Sequence, residues 1–405
     1  MNASRPGRWV TSWAASTSGS QGTFSGPEST VRQTMRLSAG GPAVRLRFAN
    51  PHTYAPLVFD AVTVALASDR GADLASPPVP VSVGGKSRFA VHPGTVVLTD
   101  PVPIAVDDLV TLAVSSYTVG PVELSRHDWA NRTLWSTLSA IGDRTREESG
   151  AAFRPFGFSW VWVDAVDVLD PDAQGAVVVL GDSITDGAGS DFDTDTRWTD
   201  FLAERFAGLP HGDPRRRAVA NAGIGGNTVG GIGTDLVGVN ALSRLDRDVL
   251  SLSGVSDVIV FEGSNDLYLG AAPQDLAADL TTLAERVQAT GARALIATIV
   301  PRAGGYAWDD EREGRRQRAN AWIRSQSAFD SVLDLESALD DPDCPGRLRP
   351  AFDADRTHPN SAGYRALAES IDLGVFAPVV AAGSWSPPAA LRDPWTRRSG
   401  SGQRR

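Results

Sequence analysis

The chain has one cysteine, Cys344, two methionines and five histidines in 405 residues. A single cysteine excludes an intrachain disulfide, which fits a reducing compartment without requiring one. Cys344 itself lies in the turn-rich stretch DDPDCPGR, a poor setting for a cysteine nucleophile. No run of about 18 apolar residues occurs, so no membrane span is expected. Positive charge is also short: the net charge is −10. That argues against a nucleic-acid partner, because phosphate recognition needs a concentrated basic surface. The start, MNASRPGRWVTSW, has no apolar stretch of the kind a signal peptide needs. A cytoplasmic protein is therefore expected, or a secreted one if the recorded start omits an export signal. Histidine and cysteine are too few and too scattered for metal-ligand spacing, so neither metal nor cofactor is expected. The G-x-S-x-G elbow is missing, which disfavours the α/β-hydrolase fold. No G-x-G-x-x-G follows the first apolar strand, which disfavours a dinucleotide site despite the glycines of GIGGNTVGGIG.

What the chain does contain divides into two patterns. Residues 1–165 read as β: AVRLRFAN (43–50) and parts of FDAVTVALAS (59–68) alternate apolar and polar residues. Further short runs, VPVSV, GTVVLTD and LVTLAVSSYTV, are separated by Gly, Pro and Asp, as in a sandwich or jelly roll. The six tryptophans Trp9, Trp13, Trp129, Trp135, Trp160 and Trp162 belong to this half. They are read as core or interface residues before a sugar-stacking surface. After DVLDPDAQG (167–175), a plausible linker, apolar strands alternate with amphipathic helices over residues 166–380. The strands are Ala176–Leu180, Ala218–Asn221, Val258–Phe261, Ala294–Ile299 and Val332–Leu335. Such runs imply a parallel sheet covered on both faces, the three-layer α/β/α arrangement, with ligands at the carboxyl ends of the strands. Residues 381–405, rich in Pro, Ser, Gly and Arg, read as a disordered tail. The segment FGFSWVWVDAVDVLD, with Phe158, Trp160 and Trp162, looks packed rather than free, so the two halves are expected to share an apolar interface.

Polar groups gather at these strand ends. VVVLGDSITDG (177–187) runs from a buried strand into Asp182 and Ser183. NAGIGGNTVGG (221–231) follows the second strand, EGSNDL (262–267) the third, and DADRTHPNSAGY (353–364) lies beyond the fifth. Taken singly, each has a bland reading as a turn or helix cap. Together they hold a nucleophile, a base, an orienter and oxyanion donors, the parts that acyl transfer requires. His358 is the obvious base for Ser183, since imidazole titrates near neutrality. Asp355, three residues earlier, is close enough to fix its tautomer, and Asp353 is the weaker candidate.

These blocks resemble the SGNH (GDSL-type) hydrolases, a family of serine esterases, lipases and carbohydrate deacetylases. Gly181-Asp182-Ser183 matches its first block, Asn221 with Gly226 its second, Gly263-Ser264-Asn265-Asp266 its third, and Asp355-Arg356-Thr357-His358 its last. The resemblance covers about residues 175 to 375. It implies a flavodoxin-like fold, Ser183 as nucleophile, His358 as base and Asp355 as orienter. It also implies an oxyanion hole from the Ser183 and Gly226 N–H groups and the Asn265 amide. Asp182 and Asp266, inside the same blocks, are candidates for substrate contact. The β-rich front half, with RQTMRLSAGG and FGFSWVWVDAV, is similar to the appended domain of a bacterial two-domain branch. The activity expected is an esterase or deacetylase acting on small-molecule or carbohydrate esters. An acyltransferase using the same triad and a non-catalytic binding protein are the alternatives.

Overall fold

The computed structural model describes residues 8–24, 28–169, 174–231 and 238–378. The stretch read as a tail, 381–405, lies outside the described residues. The N-terminal region is built from antiparallel strands. A four-stranded sheet runs in the order Trp9–Ala14, Val163–Leu169, Val44–Asn50, Thr95–Leu98. A six-stranded sheet centres on Ser29–Arg36 and Thr111–Thr118. Alternation decides which side chains point inward. Val44, Leu46 and Phe48 from the first sheet and Met35, Leu112 and Val114 from the second meet in one buried cluster, as the sandwich expectation requires.

The expected break between residues 165 and 166 falls inside a strand. Val163–Leu169 pairs with both Trp9–Ala14 and Val44–Asn50, so it is a central strand of the β region up to Leu169. The apolar alternation of Val166 and Val168 continues past the position where the composition begins to change, and pairing follows the alternation.

The C-terminal region holds five parallel strands in the order Ala218–Gly223, Ala176–Gly181, Val255–Phe261, Arg293–Ala297, Ser331–Leu333. All six residues of the first strand in sequence, Ala176–Gly181, are buried, as a sheet covered on both faces demands. Helices Pro273–Gln288 and Asp310–Ser325 pack on one face, and Trp198–Ala207 and Ser361–Ser370 on the other. Because the chain starts in an inner strand and reverses its winding there, the connections that follow the first and third strands pass to opposite faces, which leaves a crevice outside their carboxyl ends.

The two regions are joined along the strand Trp9–Ala14. Ala14 and Ala165 pack into the α/β core, while Ala176 and Ala218 pack into the β core. The Thr11 N–H donates to the Ser253 carbonyl (2.9 Å) and the Val219 N–H to Ser38 Oγ (2.8 Å). Arg47, buried and paired with Asp164 at 2.8 Å, also donates to Ser251 Oγ at 2.8 Å. Trp13, Trp160 and Trp162 are buried as expected. Phe158 is not: it is 53% exposed, and its ring meets Phe192 edge-on at 5.0 Å. Residues 174–378 expressed alone are expected to unfold at lower temperature than the full chain, or to be poorly soluble, because this interface would be stripped. Equal melting temperatures and undiminished activity on small esters would show the β region to be a detachable module.

Candidate active site

The strand Ala176–Gly181 feeds directly into a single helical turn, Ser183–Asp186. Asp182 caps that turn by accepting the Ile184 N–H at 2.9 Å, and Gly187, at φ +105°, ends it in a left-handed conformation. The turn lies so close to the second strand that a Cβ on Gly223 would stand 2.4 Å from the Asp186 nitrogen, so only glycine fits there. Ser183 is thereby presented at the strand end, 8% exposed.

The last block comes back to it. In the loop before helix Ser361–Ser370, Asp355 Oδ1 accepts the N–H groups of Thr357 (3.0 Å) and His358 (2.8 Å). Its Oδ2 faces His358 Nδ1 at 2.8 Å, and His358 Nε2 faces Ser183 Oγ at 2.9 Å. A carboxylate only accepts, so Nδ1 carries the hydrogen and the Nε2 lone pair is turned to the serine hydroxyl. Burial pushes the Asp355 carboxyl up, but the hydrogen bonds from the His358 ring and backbone outweigh it and hold the group below its ordinary value. Asp353 instead accepts the Arg356 N–H at 2.5 Å, which tightens the loop, so the geometry favours Asp355 of the two acids.

The second and third blocks close the other side. Gly226, at φ +76°, takes a conformation glycine adopts freely. The next residue, Asn227, offers its carbonyl to the Asn265 side-chain amide at 2.9 Å, and the same amide reaches Asp182 Oδ2 at 3.4 Å. Asn265, Gly226 and the Ser183 turn therefore converge on one edge of the sheet.

Asp182 and Asp266, the candidates for substrate contact, both accept backbone N–H groups. Both are buried, and Asp266 accepts the Val229 N–H at 3.1 Å while Asp182 caps the serine turn. Together with Glu262 they form an acidic floor behind the site. Burial pushes all three upward, Asp266 to about 6 and Glu262 well above its ordinary value; neighbouring carboxylates add to the push, while His358 and Arg302 oppose it at Asp182 and Arg244 opposes it at Glu262.

Several supporting residues carry no sign of this role in the sequence. Arg244, fully buried, donates to the carbonyls of Ala222 (2.6 Å) and Gly181 (3.1 Å) and to Asn227 Oδ1 (2.9 Å), holding two strand ends and the glycine loop together. Arg302, stacked between Tyr268 and Trp308, donates to Ser264 Oγ at 2.8 Å beside Asn265. From the β region, His127 Nε2 lies 2.9 Å from Asp186 Oδ1, where sequence reasoning had left this histidine out of the site.

Residues 179–366 match the model of the GDSL-like lipase/acylhydrolase family. This segment is an SGNH hydrolase domain. The protein is accordingly a serine hydrolase acting on ester bonds. No curated protein matches the chain. Among solved structures, it is similar to the acetyl xylan esterase AlAXEase at 23% identity, covering 48% of this chain and 96% of that one, with a TM-score of 0.37. An M. smegmatis aryl esterase is similar at 19% identity, with 48% and 95% covered and a TM-score of 0.39. A G-D-S-L family lipolytic protein from Veillonella parvula is similar at 19% identity, with 48% and 94% covered and a TM-score of 0.36. Among the described residues, no helix is long and apolar enough to cross a membrane.

Proposed function

We propose that the protein hydrolyses short-acyl or sugar-linked carboxylic esters through Ser183, His358 and Asp355. The observation that carries this reading is the unbroken hydrogen-bonded line from Asp355 through His358 to Ser183, at 2.8 and 2.9 Å. His358 Nε2 takes the Ser183 proton as Oγ attacks the ester carbonyl. The resulting oxyanion is held by the Ser183 and Gly226 N–H groups and the Asn265 amide. The leaving alcohol takes the proton back from His358, and water then enters by the same route to release the acid and restore Ser183. Asp355 holds the ring's tautomer and stabilises the imidazolium without taking its proton.

We assign the alcohol side of the ester to the cleft next to the glycine loop. A cleft of about 520 Å³ beside Gly225 is walled by Trp129, Phe158 and Phe192 and edged by Ser18, Arg126, Asp128 and Asn131. Trp129, unlike the buried Trp13, Trp160 and Trp162, is 53% exposed. Exposed aromatic faces among hydrogen-bonding groups suit a ring with hydroxyls better than a long acyl chain.

Labelling with a fluorophosphonate probe tests the reading directly: adduct at Ser183 is expected, and an unlabelled protein would reject it. A panel of acetylated sugars and p-nitrophenyl esters, run with and without an alcohol acceptor, would separate hydrolysis from acyl transfer. Asn265→Ala is expected to lower kcat by about 10²–10³ with little change in KM, since the oxyanion exists only along the reaction path. A large rise in KM at unchanged kcat would make Asn265 a ground-state substrate contact instead.

A further inference from the structure

The segment His127–Asn131 of the β region is interlocked with the turn that carries Ser183. His127 ends the strand Val122–His127. Its ring is 4% exposed and lies against Asp186, 3% exposed, the last residue of the Ser183–Asp186 turn. Nε2 is 2.9 Å from Asp186 Oδ1, and Nδ1 is 2.8 Å from the Ser16 carbonyl. The other Asp186 oxygen, Oδ2, accepts the Gly225 N–H at 2.8 Å. Gly225 is also pressed from the β region: a Cβ there would stand 2.7 Å from the Trp129 ring. Arg197 donates to the Asp186 carbonyl at 2.5 Å and to the Ala130 carbonyl at 2.6 Å, and Asn131 donates to the Gly187 carbonyl at 2.8 Å.

We propose that His127 is a positioning residue for catalysis: through Asp186 it fixes the Ile224–Gly225 peptide, the one immediately before the Gly226 N–H donor, so that the β region completes the oxyanion hole of the α/β region. This rests on the assignment of Gly226 to the hole. Asp186 links the parts. It sits one turn after the nucleophile, it grips the nitrogen of the residue before Gly226, and its remaining oxygen is held by His127. Because both groups facing the imidazole are acceptors, the ring donates from both nitrogens, which makes it an imidazolium against a carboxylate. Burial alone would push the His127 ring down, but the Asp186 charge and hydrogen bond and the Ser16 carbonyl raise it, against a smaller opposing effect of Arg197. Such a fixed ion pair leaves Asp186 one orientation and the Gly225 N–H one position, and so sets where the next peptide, whose Gly226 N–H is the donor, begins. An oxyanion donor acts only if it is already aimed, and a displacement of about 1 Å can cost a hundredfold in rate.

Two substitutions of similar polarity divide the two hydrogen bonds. In His127→Gln the amide nitrogen reaches about where Nε2 stood, so the hydrogen bond to Asp186 survives. In His127→Asn the shorter amide overlays Nδ1, so the bond to the Ser16 carbonyl survives and Asp186 is released. Measured per site counted by fluorophosphonate titration to completion, kcat on a p-nitrophenyl ester is expected to fall about 10–100-fold in His127→Asn, with KM within about twofold. In His127→Gln the loss should stay within about threefold. A purely structural role would instead lower the number of titratable sites and the melting temperature in both variants, leaving kcat per site unchanged, and that result would overturn the proposal. Equal losses of kcat in the two variants would overturn it too. A wild-type protein that neither labels nor turns over would remove the catalytic reading itself, and this inference with it.

Discussion

Replacing Ser183 by alanine is expected to abolish ester hydrolysis while leaving the protein folded. Loss of the nucleophile from a hydroxyl–imidazole–carboxylate unit typically removes on the order of 10⁴–10⁶ in kcat. The structural cost should be small. The Ser183–Asp186 turn is capped by Asp182 and terminated by Gly187, neither of which uses the serine hydroxyl, and Ser183 Oγ makes its hydrogen bond to His358. Alanine also has higher helix propensity than serine. The melting temperature should therefore move by no more than a degree or two, on the order expected for under about 0.5 kcal/mol. The check is turnover of a p-nitrophenyl ester by the purified variant beside a melting curve. Activity within tenfold of wild type would remove Ser183 from the reaction.

That Ser183, His358 and Asp355 meet was legible in the sequence because each follows a recognisable strand or precedes a recognisable helix, and a parallel sheet gathers its strand ends on one edge. The same logic explains the fit of the sheet. Val177 to Leu180 and Val258 to Phe261 are continuous apolar runs, and continuous runs are what doubly covered strands require. The β region was legible only as a class, because its strands are short and their partners lie far apart: Ser29–Arg36 pairs with Thr111–Thr118, and nothing local in either segment names the other. Its lower edge was misjudged for a related reason. Val163–Leu169 owes its place to Trp9–Ala14, at the opposite end of the region.

The supporting residues were hidden by a different cause. Asp182 and Asp266 stand in motif blocks and so resemble substrate ligands, but which way a carboxylate is used depends on the nearest unpaired N–H. For Asp182 that donor is two residues away, and for Asp266 it is thirty-seven. His127 had no motif and no helical or strand periodicity to mark it. Its partner Asp186 lies fifty-nine residues on, across an interface that no local pattern reveals.

His358→Ala is expected to be nearly as damaging as Ser183→Ala, on the order of 10⁴–10⁶ in kcat, because without the imidazole neither proton transfer has a carrier. Asp355→Asn should cost somewhat less, on the order of 10⁴. The Thr357 and His358 N–H groups hold the one amide oxygen, which leaves the NH2 facing Nδ1 and favours the unproductive tautomer. The loss stays below that of His358→Ala because the Asp355 side chain is 56% exposed, so solvent already screens much of the charge it offers the imidazolium. Asp353→Asn should change kcat little, since that carboxylate holds the Arg356 N–H and not the ring. The pH profile of kcat/KM separates base from orienter. Asp355 is held below the ordinary carboxylate value by the His358 hydrogen bonds, which outweigh the upward push of burial, so it stays ionised throughout the range where an imidazole titrates. The acid limb then reports the imidazole alone: kcat/KM should fall toward low pH as Nε2 takes a proton and can no longer accept the one from Ser183. A profile flat across about pH 5 to 8 would require another base. A variant order in which Asp353→Asn is worse than Asp355→Asn would mean that the loop rearranges when substrate binds, bringing the other acid to the ring.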